Sequence, residues 1–504
     1  MRKINKILVA NRGEIAIRIM RTCREMDIAT VAVFSDADRT SMHVRYADEA
    51  YFVGPAPSKD SYLKAEKIIE VALKSKADAI HPGYGFLSEN ADFARRCNES
   101  GIIFIGPSPE VIEKMGDKIE ARKAMIAAGV PVVPGTTQAI SSEDEAISTI
   151  KEIGLPVMIK ASAGGGGKGM RLVEKEEDII SSVRAARSEA LASFGDDAVY
   201  VEKYVTSPHH IEFQIMGDQH GNAIHLFERE CSIQRRHQKM VEETPSPLVT
   251  PELREKMGNS AVEAAKAVNY AGAGTIEFLV DNNLNYYFLE MNTRLQVEHP
   301  ITERVTGVDL VKKQIEVAEG KQLDLKQDEL KQVGHAIECR VYAEDSDNNF
   351  MPSPGRIHSI TQPLGLGVRT DGYVYEGYEI PIHYDPMISK LIVWAQTRDE
   401  AIQRMRRALY EYKITGVKTS LNFLERIMDS EDFTSGNYDT NFIEKNRGKL
   451  LEKDACEEDC QDMVIIAAYF DFVNRINKVM SKKELNPAAN RWKKHTYQKN
   501  FDRL

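Results

Sequence analysis

Four consecutive glycines, Gly164 to Gly167, follow the apolar run PVMIK at residues 156–160 after three small residues, Ala161 to Ala163. Because glycine has no Cβ, successive backbone N–H groups can turn toward one point and approach a polyphosphate closely. The run is not a Walker A loop, since Gly169 stands where that pattern needs Ser or Thr. It is not a dinucleotide fingerprint either, because no acidic residue is suitably placed after a βα turn. The sequence instead predicts a glycine loop that joins two strands and lies over a nucleotide as a flap.

The composition is that of an ordinary globular enzyme, with 504 residues, 42% hydrophobic and 28% charged. A net charge of −10 argues against nucleic acid as the main partner. Six cysteines are too few for a disulfide scaffold, which is typical of a reducing compartment. The longest apolar run, 463–470, is far shorter than the roughly 20 residues that cross a bilayer. Residues 1–6 are too few for a targeting segment. We therefore predict a cytoplasmic protein that acts on neither membranes nor nucleic acid.

Strand and helix signals alternate through the first part of the chain. The apolar runs KILVA, TVAVF, ADAIH and IIFIG are separated by segments with helical spacing. Repeated β-then-α units predict an open, doubly wound parallel sheet. Functional loops in such sheets lie at the carboxyl ends of the strands, and the segment HPGYGFLSEN follows one of them.

The pattern of strand and helix signals changes after about residue 130. Residues 131–204 contain the glycine run and one long helical segment, and we interpret them as a small α+β lid. Period-2 alternation from 211 to 300 predicts paired strands, and a third region at about 334–446 is also rich in strand signals. Residues 447–504 are separate in character, with an apolar helix followed by a basic, aromatic end.

One predicted hairpin, TIEFLVDNNLNYYFLEMN, carries acidic residues in apolar strands. Its turn is marked by Asp281-Asn282-Asn283. Glu290 and Asn292 share one strand face, and Glu277 faces the same way if the hairpin closes at the asparagines. Two carboxylates and an amide oxygen suit Mg²⁺ that bridges phosphates. The alternative is a solvated polar face.

The loop NTRLQVEHP follows the hairpin directly. Arg294 can grip a small planar anion with two hydrogen bonds. Glu298 is the natural general base, since a carboxylate near a metal and an arginine stays ionised. A loop held by salt bridges is the alternative for this segment taken alone.

A second candidate segment is CSIQRRHQKMVEE. It contains Arg235, Arg236, His237 and Lys239 within five positions. Beside a nucleotide and an acidic metal site, these residues would form a phosphate and anion clamp that neutralises a transferring phosphoryl group. In isolation such a cluster is usually a solvated basic face.

Taken together, the motifs of residues 3–446 resemble those of the biotin carboxylases, a branch of the ATP-grasp superfamily. The motifs that carry the resemblance are VANRGEIAIR, HPGYGFLSEN, KMGDK, IKASAGGGGKGMR, EKYV, ERECSIQRRHQKMVEE, GTIEFLV, FLEMNTRLQVEHPITE and RVYAED. The resemblance implies an ATP-grasp fold of the α/β and α+β classes, with a mobile lid. Its expected domains are a Rossmann-like N-terminal domain at 1–114, an ATP-grasp domain at 115–330 that includes the lid at 131–204, a strand-rich C-terminal domain at 331–446 and a helical extension at 447–504.

The resemblance also implies a reaction, in which ATP phosphorylates bicarbonate to carboxyphosphate and the carboxyl group then passes to biotin. The residues expected around ATP are Lys118, Lys160, Gly165, Gly166, Gly167, Met170, Glu202, Lys203, Val205, His210, Gln234, His237 and Leu279. The expected ligands of Mg²⁺ or Mn²⁺ are Glu277, Glu290 and Asn292. The expected bicarbonate pocket is Lys239, Arg294, Gln296, Val297 and the base Glu298. Arg340 is expected to stabilise the enolate form of biotin, and Tyr84 to lie near the biotin.

Partners are expected as well. The sequence contains no Met-Lys-Met, the motif around a biotinylated lysine, and no segment of carboxyltransferase length, so the biotin carrier and the carboxyltransferase are expected on other polypeptides. The resemblance also implies a homodimer of this chain. The stretch YDTNFIE is more typical of the pyruvate carboxylase and acyl-CoA carboxylase type. The final acceptor (pyruvate, acetyl-CoA, propionyl-CoA or 2-oxoglutarate) stays open. For the end of the chain, the two alternatives are packing on its own body and docking of a partner protein.

Two other functions remain open from the sequence. One is bicarbonate phosphorylation for carbamoyl transfer, although such proteins are normally internal duplications and we find no repeat. The other is a non-catalytic ATP-binding regulator, which would be expected to have lost Glu298, Arg294 or the metal carboxylates.

Overall fold

The structure is a computed structural model, and it describes residues 2–136, 138–140, 142–161, 170–451 and 459–483. The chain divides into two compact units, Met1–Leu451 and Glu452–Leu504. None of the helices within the described ranges is long and apolar enough to cross a membrane.

The first part of the chain forms a five-stranded parallel sheet in the order β3-β2-β1-β4-β5. The strands are β1 (Lys6–Val9), β2 (Ala29–Ser35), β3 (Glu49–Gly54), β4 (Ala79–His81) and β5 (Ile103–Phe104). The helices are α1 (Gly13–Glu25), α2 (Met42–Tyr46), α3 (Ala65–Ser75), α4 (Ala91–Glu99) and α5 (Pro109–Gly116). The predicted doubly wound sheet is confirmed. Because β1 and β4 are neighbours, the loops at their carboxyl ends meet at the point where the strand order reverses.

The predicted lid region forms a small α+β layer with a core of its own. Helix α6 (Lys118–Ala127) precedes it. Its elements are α7 (Glu143–Ile153), α8 (Ile179–Phe194), β6 (Val157–Ala161), β7 (Arg171–Val173) and β8 (Val199–Lys203). The three strands pair antiparallel in the order β7-β6-β8. Apolar residues of α7, α8 and the strands, such as Ile150, Val183 and Ile159, form a separate buried cluster. The glycines Gly164 to Gly167 lie outside the described residues.

The rest of the first unit contains the following elements. The strands are β9 (His209–Gly217), β10 (Ala223–Arg235), β11 (Gln238–Thr244), β12 (Gly272–Val280), β13 (Tyr286–Asn292), β14 (His335–Tyr342), β15 (Glu344–Asp345), β16 (Met351–Pro352), β17 (Gly355–Arg356), β18 (Ser359–Thr361), β19 (Val368–Gly372), β20 (Glu379–Ile380), β21 (Met387–Ala395) and β22 (Lys413–Thr415). The helices are α9 (Pro251–Ala267), α10 (His299–Thr306), α11 (Leu310–Ala318), α12 (Arg398–Glu411), α13 (Leu421–Asp429), α14 (Glu431–Ser435), α15 (Phe442–Lys445) and α16 (Arg447–Leu450).

Eight of these strands form one antiparallel sheet in the order β13-β12-β9-β10-β11-β14-β21-β19. The sheet continues across the domain boundary predicted near residue 330, since Val241 of β11 pairs with Cys339 of β14. Lys239 and Arg340 therefore lie on neighbouring strands although about 100 residues separate them in the sequence. The boundary itself stays a prediction.

The second unit contributes helix α17 (Asp459–Lys483). Its large apolar side chains are exposed, for example Val464 at 68% and Phe470 at 61%. A helix with this much apolar surface is typical of an interface. The basic end of the chain, residues 484–504, lies outside the described residues.

A buried ion-pair cluster fixes helix α12 to the eight-stranded sheet. Arg398, the first residue of α12, donates to both carboxylate oxygens of Glu243 at 2.8 and 2.9 Å. His335 Nε2 lies 2.6 Å from the same carboxylate, and the Tyr438 hydroxyl also donates to it. Burial alone would raise the pKa of Glu243, but His335 and Arg398 lower it to about 2. The cluster therefore stabilises the fold while Glu243 is ionised.

We expect Glu243→Gln to lower the free energy of unfolding by about 3 kcal/mol at neutral pH, because it leaves the half-buried Arg398 without its counter-ion. Since the pKa of Glu243 is lower in the folded than in the unfolded chain, the advantage of the wild type is full above the ordinary value of 4.5 and is lost as the pH falls toward about 2. Urea denaturation of both proteins between pH 7 and pH 3 measures this. A difference that does not shrink with falling pH would contradict the assignment.

Candidate active site

One large cavity of about 1340 Å³ opens where the lid, the eight-stranded sheet and the N-terminal loops meet. Every described residue that the family resemblance predicted for the site lines it. These residues are Tyr84, Lys118, Lys160, Met170, Glu202, Lys203, Val205, His210, Gln234, His237, Lys239, Glu277, Leu279, Glu290, Asn292, Arg294, Gln296, Val297, Glu298 and Arg340. The predicted Gly165, Gly166 and Gly167 lie outside the described residues. A cavity of this size is large enough for a nucleotide and a second substrate.

The lid side of the cavity presents two lysines and a carboxylate. Lys160 on β6 donates to Glu202 on β8 at 2.5 Å, and Arg122 of α6 donates to the other oxygen of Glu202 at 3.1 Å. Burial lowers the pKa of Lys118, and the positive charge of Lys160 acts in the same direction. Such buried or half-paired ammonium groups suit an incoming anion, because a phosphate replaces the water that they have lost.

The β12–β13 hairpin brings the predicted metal ligands together. Glu277 and Glu290 are opposite each other in the register, and Asn292 Nδ2 donates to Glu277 Oε1 at 2.9 Å. His210 Nε2 lies 2.7 Å from Glu277 Oε2. Burial and the Glu277 carboxylate raise the pKa of Glu290. This donor set of hard oxygens fits Mg²⁺, which would relieve the repulsion between the two carboxylates.

Lys239 on β11 lies among three buried carboxylates. Its Nζ is 2.5 Å from Glu212, 2.9 Å from Glu277 and 2.8 Å from Glu298. Burial alone would lower the pKa of Lys239, but the three carboxylates outweigh it and hold the pKa well above its ordinary value. The ammonium is therefore permanently charged and links the metal hairpin to the loop that follows it.

Glu298 is held between two cations. It is fully buried, and it accepts from Lys239 and, at 2.9 Å, from Arg340 Nη2. Burial alone would raise the pKa of Glu298, but Lys239 and Arg340 hold it well below its ordinary range. Arg340 also donates to Glu242 at 2.6 Å, and burial raises the pKa of Glu242 to about 7 against the effect of Arg340. Glu298 is thus an ionised carboxylate at neutral pH, as a proton acceptor must be.

Arg294 is held in one orientation by four partners. Its Nε donates to Glu89 at 2.7 Å, and Nη2 donates to Asn292 at 3.1 Å. Nη1 donates to Gln296 at 2.7 Å and to the backbone oxygen of Leu295 at 3.3 Å. Most of its N–H donors are therefore in use, and a small planar anion that takes two hydrogen bonds from Arg294 would replace some of these partners.

The basic segment at 235–239 is only partly a clamp, and our inclusion of Arg235 was wrong. Arg236 and His237 form the two-residue turn between β10 and β11, with φ of 50° and 67°. Arg236, His237 and Lys239 line the cavity. Arg235 instead donates to Glu344 at 2.9 Å and stacks on Phe350, because strand alternation turns it to another side of the hairpin.

Sequence reasoning missed four carboxylates that hold the predicted residues. Glu89 orients Arg294, Glu212 pairs with Lys239, Glu242 pairs with Arg340, and Glu14 accepts a hydrogen bond from the Tyr84 hydroxyl. Three of them lie in motifs that we had singled out: VANRGEIAIR, HPGYGFLSEN and ERECSIQRRHQKMVEE. Glu212 shares a face of β9 with His210 by period-2 alternation, and an acidic residue in so apolar a strand was the signal that could have found it.

Comparison with known proteins agrees with this architecture. Three family models match: the N-terminal domain of biotin carboxylase at residues 3–112, the ATP-binding domain of the carbamoyl-phosphate synthase L chain at 117–326, and the C-terminal domain of biotin carboxylase at 338–445. The fold and the cavity are therefore those of an ATP-grasp protein. Within that superfamily, the chain belongs to the biotin carboxylase family.

Individual relatives cover most of the chain. It is 56% identical to a pyruvate carboxylase subunit of Methanothermobacter thermautotrophicus over 91% of this chain and 94% of that protein. It is 55% identical to biotin carboxylase 1 of Bacillus subtilis over 88% of this chain and 98% of that protein. Among solved structures, the biotin carboxylase domain dimer of Hydrogenobacter thermophilus 2-oxoglutarate carboxylase, in complex with MgADP, ADP and bicarbonate, matches with 49% identity and a TM-score of 0.86. The match covers 90% of this chain and 100% of that one.

We expect Lys239→Met to lower the free energy of unfolding by about 3 to 5 kcal/mol, because three buried carboxylates lose their shared cation. We also expect millimolar Mg²⁺ to restore part of the loss in this variant, since a divalent cation can replace the ammonium. Thermal unfolding with and without Mg²⁺ measures both effects. Lys123→Met is the matched control, because its exposed pair with Glu120 should contribute less than about 1 kcal/mol. Equal behaviour of the two variants would contradict the role of Lys239.

Proposed function

We propose that this chain catalyses the ATP-dependent carboxylation of biotin with bicarbonate. The single observation that carries the proposal is the arrangement of Lys239, Glu298 and Arg340, one shared set of charges beside a predicted metal hairpin in one large cavity. Family membership supports the same reaction. ATP would phosphorylate bicarbonate to carboxyphosphate, and the carboxyl group would pass to the ureido nitrogen of biotin.

The nucleotide would lie between the lid and the hairpin. Lys118, Lys160 and His237 would contact its phosphates, while Met170 and Leu279 offer apolar contacts for the base. Gln234, Glu202, Lys203, Val205 and His210 complete the same end of the cavity. Glu277 and Glu290, with Asn292 close by, would hold Mg²⁺ or Mn²⁺, which neutralises the phosphate charge when bound. The residues of this chain position the phosphate for attack and exclude water.

Bicarbonate would lie between Arg294 and Glu298. Arg294, Gln296 and the backbone of Val297 would hold the anion, and Lys239 would compensate its charge. Bicarbonate is a weak nucleophile, so Glu298 would remove its proton as it attacks the γ-phosphate. Arg340, at the other side of Glu298, would stabilise the enolate form of biotin, with Tyr84 beside the ring. Because Glu298 and Arg340 are paired, carboxyphosphate formed beside Glu298 would lie next to the biotin held by Arg340, and the two would react without diffusing apart.

The biotin would be carried by a separate carrier protein, and a carboxyltransferase polypeptide would pass the carboxyl group on. The names of relatives support such an assembly, since one of them is a subunit of pyruvate carboxylase. The dimer in the Hydrogenobacter structure supports a homodimer of this chain. We also propose a cytoplasmic location, and domains at 1–114, 115–330, 331–446 and 447–504.

The decisive measurement is ATP hydrolysis with bicarbonate, in the presence and absence of free biotin. We expect the wild-type protein to require bicarbonate and to be stimulated by biotin. Glu298→Gln should lower kcat by a factor of about 100 or more, because it removes the proton acceptor. The affinity for ATP should stay nearly unchanged, because the residues proposed to hold the nucleotide are not altered. Glu120→Gln, a change at an exposed carboxylate, is the control. Normal turnover of Glu298→Gln would show that the base is another group.

The same measurement separates the alternatives. Hydrolysis that needs bicarbonate but ignores biotin would favour the carbamoyl-transfer class, whose ATP-binding domain model matches residues 117–326. Binding of ATP without any hydrolysis would favour a regulatory role.

We propose further that the end of the chain docks a partner protein, on the basis of the exposed apolar side chains of α17 and the basic residues that follow. Deletion of residues 481–504 is expected to abolish co-purification with the biotin carrier protein and to leave activity on free biotin unchanged. Undiminished association of the truncated chain would end this idea.

A further inference from the structure

Lys390 on β21 is a fully buried lysine that has no part in the reaction proposed above. Its side chain is 0% exposed. An ammonium group without water costs several kcal/mol unless it is paired and hydrogen-bonded, so its partners show what it stabilises.

The partners of Lys390 lie where the part of the cavity assigned to biotin meets the part assigned to bicarbonate. Its Nζ donates to the backbone oxygen of Val297 at 2.9 Å and lies 3.1 Å from Glu14 Oε1. The Tyr84 hydroxyl donates to that same oxygen of Glu14. The ammonium also lies 5.9 Å from the centre of the Tyr84 ring, and in the sheet register Lys390 is paired with Arg340. One buried charge therefore connects Tyr84, Val297 and the strand of Arg340.

The two sides of this connection differ in how many other supports they have. The loop of Val297 is also held by Glu298, which is paired with Lys239 and Arg340. Among the described residues, the Tyr84 hydroxyl has Glu14 as its hydrogen-bond partner, and the second oxygen of Glu14 has none. Loss of Lys390 would leave the Val297 loop with the ion pairs of Glu298. It would leave Glu14, the acceptor for the Tyr84 hydroxyl, without its cation, while the backbone oxygen of Tyr84 keeps its hydrogen bond from Asn11.

We propose that Lys390, acting through Glu14, is a positioning residue that fixes Tyr84 and thereby the biotin ring against Arg340. The inference rests on the proposed function, and it adds to that function a buried Lys390–Glu14–Tyr84 chain that supports the biotin end of the cavity. It places no reacting atom on Lys390. A variant without the Lys390 ammonium should use biotin poorly and still phosphorylate bicarbonate normally.

The test compares two activities of the purified full-length chain. For Lys390→Met, which keeps the length and volume of the side chain, we expect the KM for free biotin to rise about tenfold, because a hydrogen-bonded charge is lost behind Tyr84. The bicarbonate-dependent hydrolysis of ATP without biotin should stay unchanged. Arg254→Met is the matched control, since it also leaves a buried carboxylate, Glu228, without its cation, but away from the cavity lining. It should lower stability without raising the KM for biotin.

A second set of variants tests the proposal if Lys390→Met does not fold. Glu14→Gln with Lys390→Met removes both charges together, so that no buried charge is left alone, and the rise in KM is expected to persist. Adding Tyr84→Phe to this pair should raise the KM no further, because the changes break the same chain of contacts.

The outcomes are distinguishable. A normal KM for biotin in the double variant, or a parallel fall of both activities, would overturn the role of Lys390. So would a full additional rise in KM on adding Tyr84→Phe. Failure of the wild type to respond to biotin would overturn the proposed function and this inference with it, whereas a normal wild type with an unaffected variant overturns the inference alone.

Discussion

The buried ammonium of Lys239 is the interaction on which the arrangement of the site depends. Three carboxylates meet at it, and they come from β9, from β12 and from the start of α10. Carboxylates so close together, away from water, would repel one another strongly without a cation between them. A second fully buried cation, Arg229, donates to Glu212 at 2.5 Å from the other side. Charge balance therefore fixes where three separate segments lie, before any substrate is bound.

The continuous eight-stranded sheet makes this charge balance possible. Lys239 on β11 and Arg340 on β14 are brought to adjacent strands by the pairing of Val241 with Cys339. Glu298, which lies just before α10, can then contact both cations. Two regions of the sequence that resemble separate domains thus contribute to one rigid surface. A rigid surface suits a reaction that depends on holding two small substrates in line, since small displacements are costly for the rate.

Much of the site could be predicted from the sequence, and the parts that could not share a physical cause. The β12–β13 hairpin was predictable because alternation and an asparagine-rich turn fix its register, which places Glu277 opposite Glu290. The β10–β11 hairpin turns on Arg236 and His237 in a left-handed conformation, where Asn-Gly is the usual signal. The turn was therefore not recognised, and Arg235 was grouped with its neighbours by position alone. Long-range pairings such as that of β11 with β14 are set by tertiary packing and leave no local pattern.

The lid has a core of its own and several polar connections to the body. Because its core is separate, it can move as a unit without exposing the cores beneath it. One of the connections is Glu202, which accepts from Arg122 of α6 and from Lys160 of the lid itself. A nucleotide phosphate that approaches Lys160 would compete with Glu202 for the same ammonium, so one anion would replace another. Binding would then change the net charge near Lys160 very little. A shift of Lys160 from Glu202 to the phosphate would also couple the position of the lid to the presence of the nucleotide. Such coupling is what a reaction through a water-sensitive carboxyphosphate requires, because the cavity should close only when the phosphate is in place.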